Sequence, residues 1–152
     1  MPEIYIDGDG CPVKREVYKV ASRYGLKVKV VSNSWMRIPD SNRIELIVVE
    51  SGADVADDWI AENVGENDIV ISGDIPLAHR CLARGAHVIG NTGRPFTPDN
   101  IGNALSMRDL LADLREQGVM TGGPKPFSKK DRSKFLQALD ETIVKIRRGS
   151  SR

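Results

Sequence analysis

The sequence predicts an α/β fold: a single three-layer domain over residues 1–148, with a mainly parallel five-stranded sheet and two C-terminal helices. Three observations carry this expectation. Valine- and isoleucine-rich runs of strand length alternate with stretches whose apolar residues recur at helical spacing. That alternation favours parallel strands covered by helices on both faces. The 152 residues, 40% hydrophobic and 28% charged, suit one full core of a globular protein.

The elements follow in order. EIYID reads as a short buried strand, with Ile4 and Ile6 on one face and Tyr5 on the other. Pro12 suits the first turn of a helix that carries Val13, Val17, Val20 and Ala21 on one side and stops at Gly25. LKVKVVSN is a second strand, SWMRIPDSN a loop and IELIVVE a third strand. SGADVADDWIAENVGE is a short helix, with Ser51 or Asp54 as its cap and Gly65 at its end. NDIVISGD is a fourth strand, IPLAHRCLARG a helix closed by Gly85, and AHVIG a fifth strand. NTGRPFTPDN reads as a loop, and Thr97-Pro98 marks a helix over about 99–117. TGGPKPF is a rigid connector. In SKKD, Ser128 and Asp131 form a capping box for a last helix whose apolar stripe is Phe135, Leu139, Ile143 and Ile146. Residues 149–152 read as a disordered tail. Strand one is expected at the sheet centre, flanked by strands two and four.

Composition narrows the function. No run approaches the ~20 apolar residues of a membrane span, and MPEIYIDGD shows no secretory leader. A cytoplasmic protein without membrane contact is expected. Cys11 and Cys81 share no metal-type spacing and read as reduced, partly buried thiols. His79 and His87 read as structural. Aromatic residues make up only 5%, which disfavours single-strand stacking platforms; Trp35 falls in a loop, and Trp59 falls in an amphipathic helix and reads as core. Residues 125–152 hold nine Lys or Arg against three Asp or Glu, a balance of +6, and residues 1–124 hold thirteen against eighteen, a balance of −5. A basic end on an acidic body is either a solvated helix face or a contact for phosphates.

The chemistry sits at the strand exits. In open parallel sheets, sites form beyond the carboxyl ends of the strands. Asp7 and Asp9 of DGDGCP follow strand one, Asp54, Asp57 and Asp58 open the helix after strand three, and Asp74 closes strand four. Each has a plainer role open to it, as a helix cap or a first-turn charge. Together they form a cluster of like charges that a divalent cation would relieve. Oxygen-only donors suit magnesium or manganese.

Five stretches, DGDGCPVKREV, SGADVADDWI, VISGDIPLAHRCLARGA, GRPFTPDNI and TGGPKPFSKKDRSKFLQALD, resemble the YaiI/YqxD family of small bacterial proteins over nearly the whole chain. That family resembles a branch of the PIN-like nucleases, in which a parallel α/β sheet gathers acids around divalent metals to cut phosphodiesters. The resemblance implies a PIN-like fold. It also implies Asp7, Asp9, Asp57 and Asp74 as catalytic metal ligands, with Asp58 a further ligand, and it marks Arg94, Arg108 and the TGGP loop as typical. The family more often has alanine at the place of Gly10, a change that removes no ligand.

Three readings compete. The first is a Mg2+- or Mn2+-dependent nuclease acting on nucleic acid, RNA before DNA. Arg94 and Arg108 would meet phosphate oxygens. The last helix would pack back so that Lys129, Lys130, Arg132 or Lys134 lies at the rim of the acid site and holds the strand. The second is a phosphatase, since Asp-Gly-Asp-Gly resembles the nucleophile element of the haloacid dehalogenase class. Asp7 would be its nucleophile, Asp9 its acid and base, and Ser72 its phosphate-binding serine. The lysine and later acidic pair of that class have no counterpart in AHVIGNTGRPF. The third is a non-catalytic module that binds nucleic acid or protein.

Overall fold

The computed structural model of the chain describes residues 2–52, 54–118 and 126–150. The elements run β1 (Ile4–Asp7), α1 (Lys14–Tyr24), β2 (Val28–Ser32), β3 (Ile44–Val48), α2 (Val55–Asn63), β4 (Ile69–Ile71), α3 (Ile75–Ala83), β5 (His87–Ile89), β6 (Pro95–Phe96), α4 (Ile101–Glu116) and α5 (Lys129–Ser150). One mixed sheet has the order β3-β2-β1-β4-β5-β6. β1 pairs in parallel with β2 and with β4, as expected, and β3 and β5 extend the parallel set.

The sheet has six strands where the sequence predicts five. The segment read as a loop turns back on itself: the Gly90 N–H donates to the Arg94 carbonyl at 2.8 Å, and Pro95–Phe96 pair antiparallel with β5. Gly93 makes that reversal with φ +87°, and a Cβ there would lie 2.6 Å from the Lys134 carbonyl oxygen of α5. Pro95 and two glycines hid the strand, since such residues signal breaks and only a short edge strand tolerates proline.

Side-chain alternation sorts the core. Ile4, Ile6, Val28, Val30, Ile69, Ile71 and Ile89 pack with Val17, Val20 and Ala21 of α1 and Phe135, Leu139, Ile143 and Ile146 of α5. Tyr5, Val31, Val70 and Val88 pack with Ile60 of α2, Leu77 and Cys81 of α3, and Ile101 and Ala104 of α4. Period-two strands feeding two apolar clusters explain why β1 is apolar at every position before Asp7. The stripe expected on the last helix is wholly buried. Its capping box forms, with the Ser128 N–H on Asp131 and the Asp131 N–H on the Ser128 hydroxyl, both at 3.1 Å.

Several boundaries differ from expectation. Pro12 lies before α1, whose N-cap is Val13. Asp54 precedes α2 in a left-handed conformation (φ 70°) and its side chain makes no cap bond. α4 begins at Ile101 because Thr97 and Asn100 bond each other reciprocally, side chain to backbone N–H, and close the preceding turn. Residues 121–125 of TGGPKPF, and 151–152 of the tail, lie outside the described residues. Both cysteines are free and buried. Among the described residues no helix is long and apolar enough to cross a membrane.

Candidate active site

Parallel pairing brings the exits of β1 and β4 side by side, and one serine ties them together. Ser72, directly after β4 and buried, donates from its hydroxyl to Asp7 Oδ2 at 3.2 Å and accepts from the Asp74 N–H at 3.0 Å. Asp74 in turn caps α3: its Oδ1 accepts from the Leu77 N–H at 2.9 Å. The plainer role open to Asp74 is therefore real, and its carboxylate also meets the Asp57 carboxyl in a side-chain hydrogen bond. On the other flank, Asp9 is held at both oxygens, by the Ser32 hydroxyl and by the Asn33 N–H, each at 3.0 Å. Lys14 donates to the Gly8 carbonyl oxygen at 3.1 Å and steadies the turn between the two acids.

Asp57 joins from the first turn of α2. Burial pushes its carboxyl up to about 6, and the charges of Asp74, Asp7 and Asp54 push the same way. Burial also raises Asp7, against the pull of the Ser72 bond, and Asp74 and Asp9 add to the rise. Asp7 thus feels Asp74 and Asp9, and Asp57 feels Asp74 and Asp7. None of them makes an ion pair with a described residue, whereas Asp58 turns aside to Arg80 at 2.6 Å. A cleft of ≈ 210 Å³ is lined by Asp7, Asp9, Cys11, Ser72, Asp74 and Asn91. A second, of ≈ 290 Å³, shares Asp74 and adds Asp57, Asp58, Arg80 and Arg108.

The carboxylate oxygens of the acids and the amide oxygen of Asn91 fit a hard divalent ion, with the Ser72 hydroxyl and Cys11 thiol beside them. The geometry is not a closed cage: among the described residues no three His, Cys, Asp or Glu side chains are grouped closely enough to hold an ion. Asn91 Oδ1 is buried beside these acids without a hydrogen-bond partner, an acceptor left for a donor or a cation.

The cationic residues spread outward from Asp74. Arg108 lines the second cleft and also an adjoining groove of ≈ 490 Å³ with Arg94, Ile75, Met107, Leu111 and Arg115. Lys134 lies beside Gly93 and Arg94 in a further cleft. Arg132 is engaged with Glu16 of α1 at 3.2 Å. Lys129 and Lys130 are exposed in the first turn of α5 and line neither acid cleft.

Sequence reasoning missed Ser32, Asn33, Lys14 and Asn91. A signal for three of them was present: VVSN and VIGN each place small polar residues within two positions of an apolar run, as IVIS does for Ser72.

The profile of the family described as "Uncharacterized BCR, YaiI/YqxD family" matches residues 5–145. A UPF0178 protein of Caulobacter sp. (strain K31) is 60% identical over 97% of this chain and 98% of its own length. A UPF0178 protein of Parvibaculum lavamentivorans is 57% identical over 97% of each. No solved structure matches the chain significantly. With the profile spanning both acid-bearing halves of the sheet and the relatives aligned nearly end to end, the chain belongs to the YaiI/YqxD family.

Proposed function

We propose that the chain is a PIN-like, three-layer phosphodiesterase of the cytoplasm that hydrolyses nucleic acid, RNA before DNA, at the edge formed by Asp7, Asp9, Asp57 and Asp74. One observation carries this: Asp7, Asp57 and Asp74 act on one another across adjoining clefts, Asp9 acts on Asp7, and none of the four is paired with a described cation. Such repulsion raises the energy of the folded chain unless something offsets it, and a divalent cation does so. As no three of these acids are grouped closely enough to hold an ion as they stand, Asp7, Asp57 and Asp74 would have to draw together on Mg2+ or Mn2+, with Asp58 swinging in from Arg80. When bound, the ion would polarise a phosphate and lower the pKa of a water.

The remaining work falls to the chain. Ser72 fixes the direction of Asp7 and the start of α3 together. Ser32 and Asn33 hold Asp9 so that its charge faces the cleft without moving. Arg108, which shares a cleft with Asp57 and Asp74 and lies 3.5 Å from Asp109, would exchange that exposed partner for a non-bridging phosphate oxygen, and Arg94 would meet the next phosphate along the groove. Lys134 extends this line, while Lys129 and Lys130 attract a polyanion at longer range.

The phosphatase alternative fares worse. It asks Asp9 to give up a proton, yet both Asp9 oxygens accept hydrogen bonds. It asks for a lysine at the nucleophile, and Lys14 donates instead to the Gly8 carbonyl. The test is incubation of the purified chain with short labelled RNA and DNA in Mn2+, Mg2+ or chelator. Metal-dependent cleavage, faster on RNA and absent from Asp7→Asn, is expected. No cleavage under any metal overturns the hydrolase and leaves the binding module.

A further inference from the structure

Beside the acid edge stands the largest exposed apolar side chain of the described residues. Trp35 is 76% exposed, more than Met107, Leu110 or Val48. The chain on both sides of it is pinned. The Asn33 N–H is bound to Asp9, and the Ser34 N–H donates to the Ser32 hydroxyl at 3.2 Å. Beyond it, Met36 and Ile38 pack against the core. Met36 comes so near the β1 exit that a Cβ on Gly8 would lie 3.3 Å from its methyl carbon. The indole is therefore held out on a fixed backbone, which reduces the ordering cost of a contact. Trp59 is the contrast: it is half-buried, 6.2 Å from the Tyr5 ring and packed against the core.

Location gives this exposure a meaning. β2 pairs with β1, so the loop leaving β2 starts about 4.8 Å, one strand spacing, from the strand that ends in Asp7. Exposed Arg37 follows two residues later. An aromatic face and a cation next to a phosphate-cleaving edge match one nucleotide of a polynucleotide, base on ring and phosphate on guanidinium. Resting on the function proposed above, we propose that Trp35 is a one-base stacking subsite that makes the chain select strands with unpaired bases. A base inside a duplex already stacks on its neighbours and cannot cover the indole. Every base offers a π face, so the subsite tolerates any sequence. The low aromatic content is consistent with one such position and not a row of them.

Tryptophan fluorescence tests this, because Trp35 and Trp59 are the chain's two tryptophans. The full chain is titrated with single-stranded oligo(A) RNA, with its oligo(U) duplex and with an abasic strand of equal length, in Mg2+ and in chelator. Only the single strand should quench emission. The quench should survive in Trp59→Phe and vanish in Trp35→Phe. Trp35→Ala should bind the single strand about 5- to 150-fold more weakly, the range that ~1–3 kcal/mol of base stacking gives. Trp35→Phe should keep most of the affinity. Equal quenching by duplex or abasic strand, no quenching by any strand, or wild-type affinity in Trp35→Ala overturns the subsite. Quenching without metal-dependent cleavage keeps the subsite and refutes the hydrolase. Cleavage with Trp35 unresponsive does the reverse.

Discussion

Two regions of this protein treat acidic residues in opposite ways. Between α1 and α5, acids face cations and a hydroxyl, although Glu16 Oε2 is buried without a hydrogen-bond partner. Glu16 pairs with Arg132 at 3.2 Å, and Asp140 accepts the Tyr24 hydroxyl and lies 3.9 Å from Arg23. At the exits of β1 and β4, acids face acids, and burial and mutual charge raise Asp7 and Asp57. The first arrangement serves docking of a helix whose stripe fills the core. The second works against the metal-free fold, and it persists because hydrogen bonds from Ser72, Ser32 and the Asn33 and Leu77 N–H groups hold the carboxylates in place. The difference separates residues that build the fold from residues the fold holds ready for a ligand.

The contrast can be broken by mutation. The largest effect is expected at the acid edge: Asp7→Asn or Asp74→Asn should lower metal-dependent cleavage by about 10³-fold, as several kcal/mol of electrostatic stabilisation is removed. Such a variant should melt no lower than the wild type without metal, because the relieved repulsion outweighs the lost hydrogen bond. Cleavage rates and melting curves on the same preparations check both halves. Next comes the α5 face, where Phe135→Ala empties a fully buried site. Its cost should be about 3–5 kcal/mol in urea unfolding; a loss under about 1 kcal/mol would mean that α5 is not part of the core.

The smallest effect is a pH dependence. The Asp57 carboxyl rises from an ordinary 3.8 to about 6 in the fold. The folded chain then binds more protons than the unfolded one between those values. Stability from this group is fully present below pH 3.8 and is lost as pH rises through about 6. Asp57 is only partly buried, so screening leaves roughly 1 kcal/mol, or about 2–4 °C of Tm. Asp57→Asn should flatten that part of the metal-free Tm profile across the same interval. An unchanged slope would detach Asp57 from the cluster.

Much of this was legible in the sequence for a physical reason. A buried parallel strand must be apolar nearly throughout, so EIYID, LKVKVVSN and NDIVISGD declare both their type and their polar exits. Asp7, Asp9 and Asp74 were readable because they stand where apolar runs stop. β6 was not, because a two-residue strand is made by its neighbour and by the Gly90–Arg94 turn, not by local propensity. Nor was the two-point hold on Asp9, whose donors lie 23 and 24 residues away along the chain and meet it only through β1–β2 pairing. Asp58 shows the remaining limit. It neighbours Asp57 in sequence, yet helical rotation turns it to Arg80.

The most direct measurement is the melting temperature of the metal-free chain titrated with Mn2+, side by side with the Asp7→Asn/Asp74→Asn double variant. If the acid edge is a cation site, Mn2+ raises the wild-type Tm saturably. At a hundredfold excess over Kd the gain is about 2.7 kcal/mol, worth roughly 5–10 °C for a chain of this size, and the double variant does not respond. A wild-type Tm indifferent to millimolar Mn2+ and Mg2+, or an equal rise in the double variant, would contradict the claim that these carboxylates are held together for a metal.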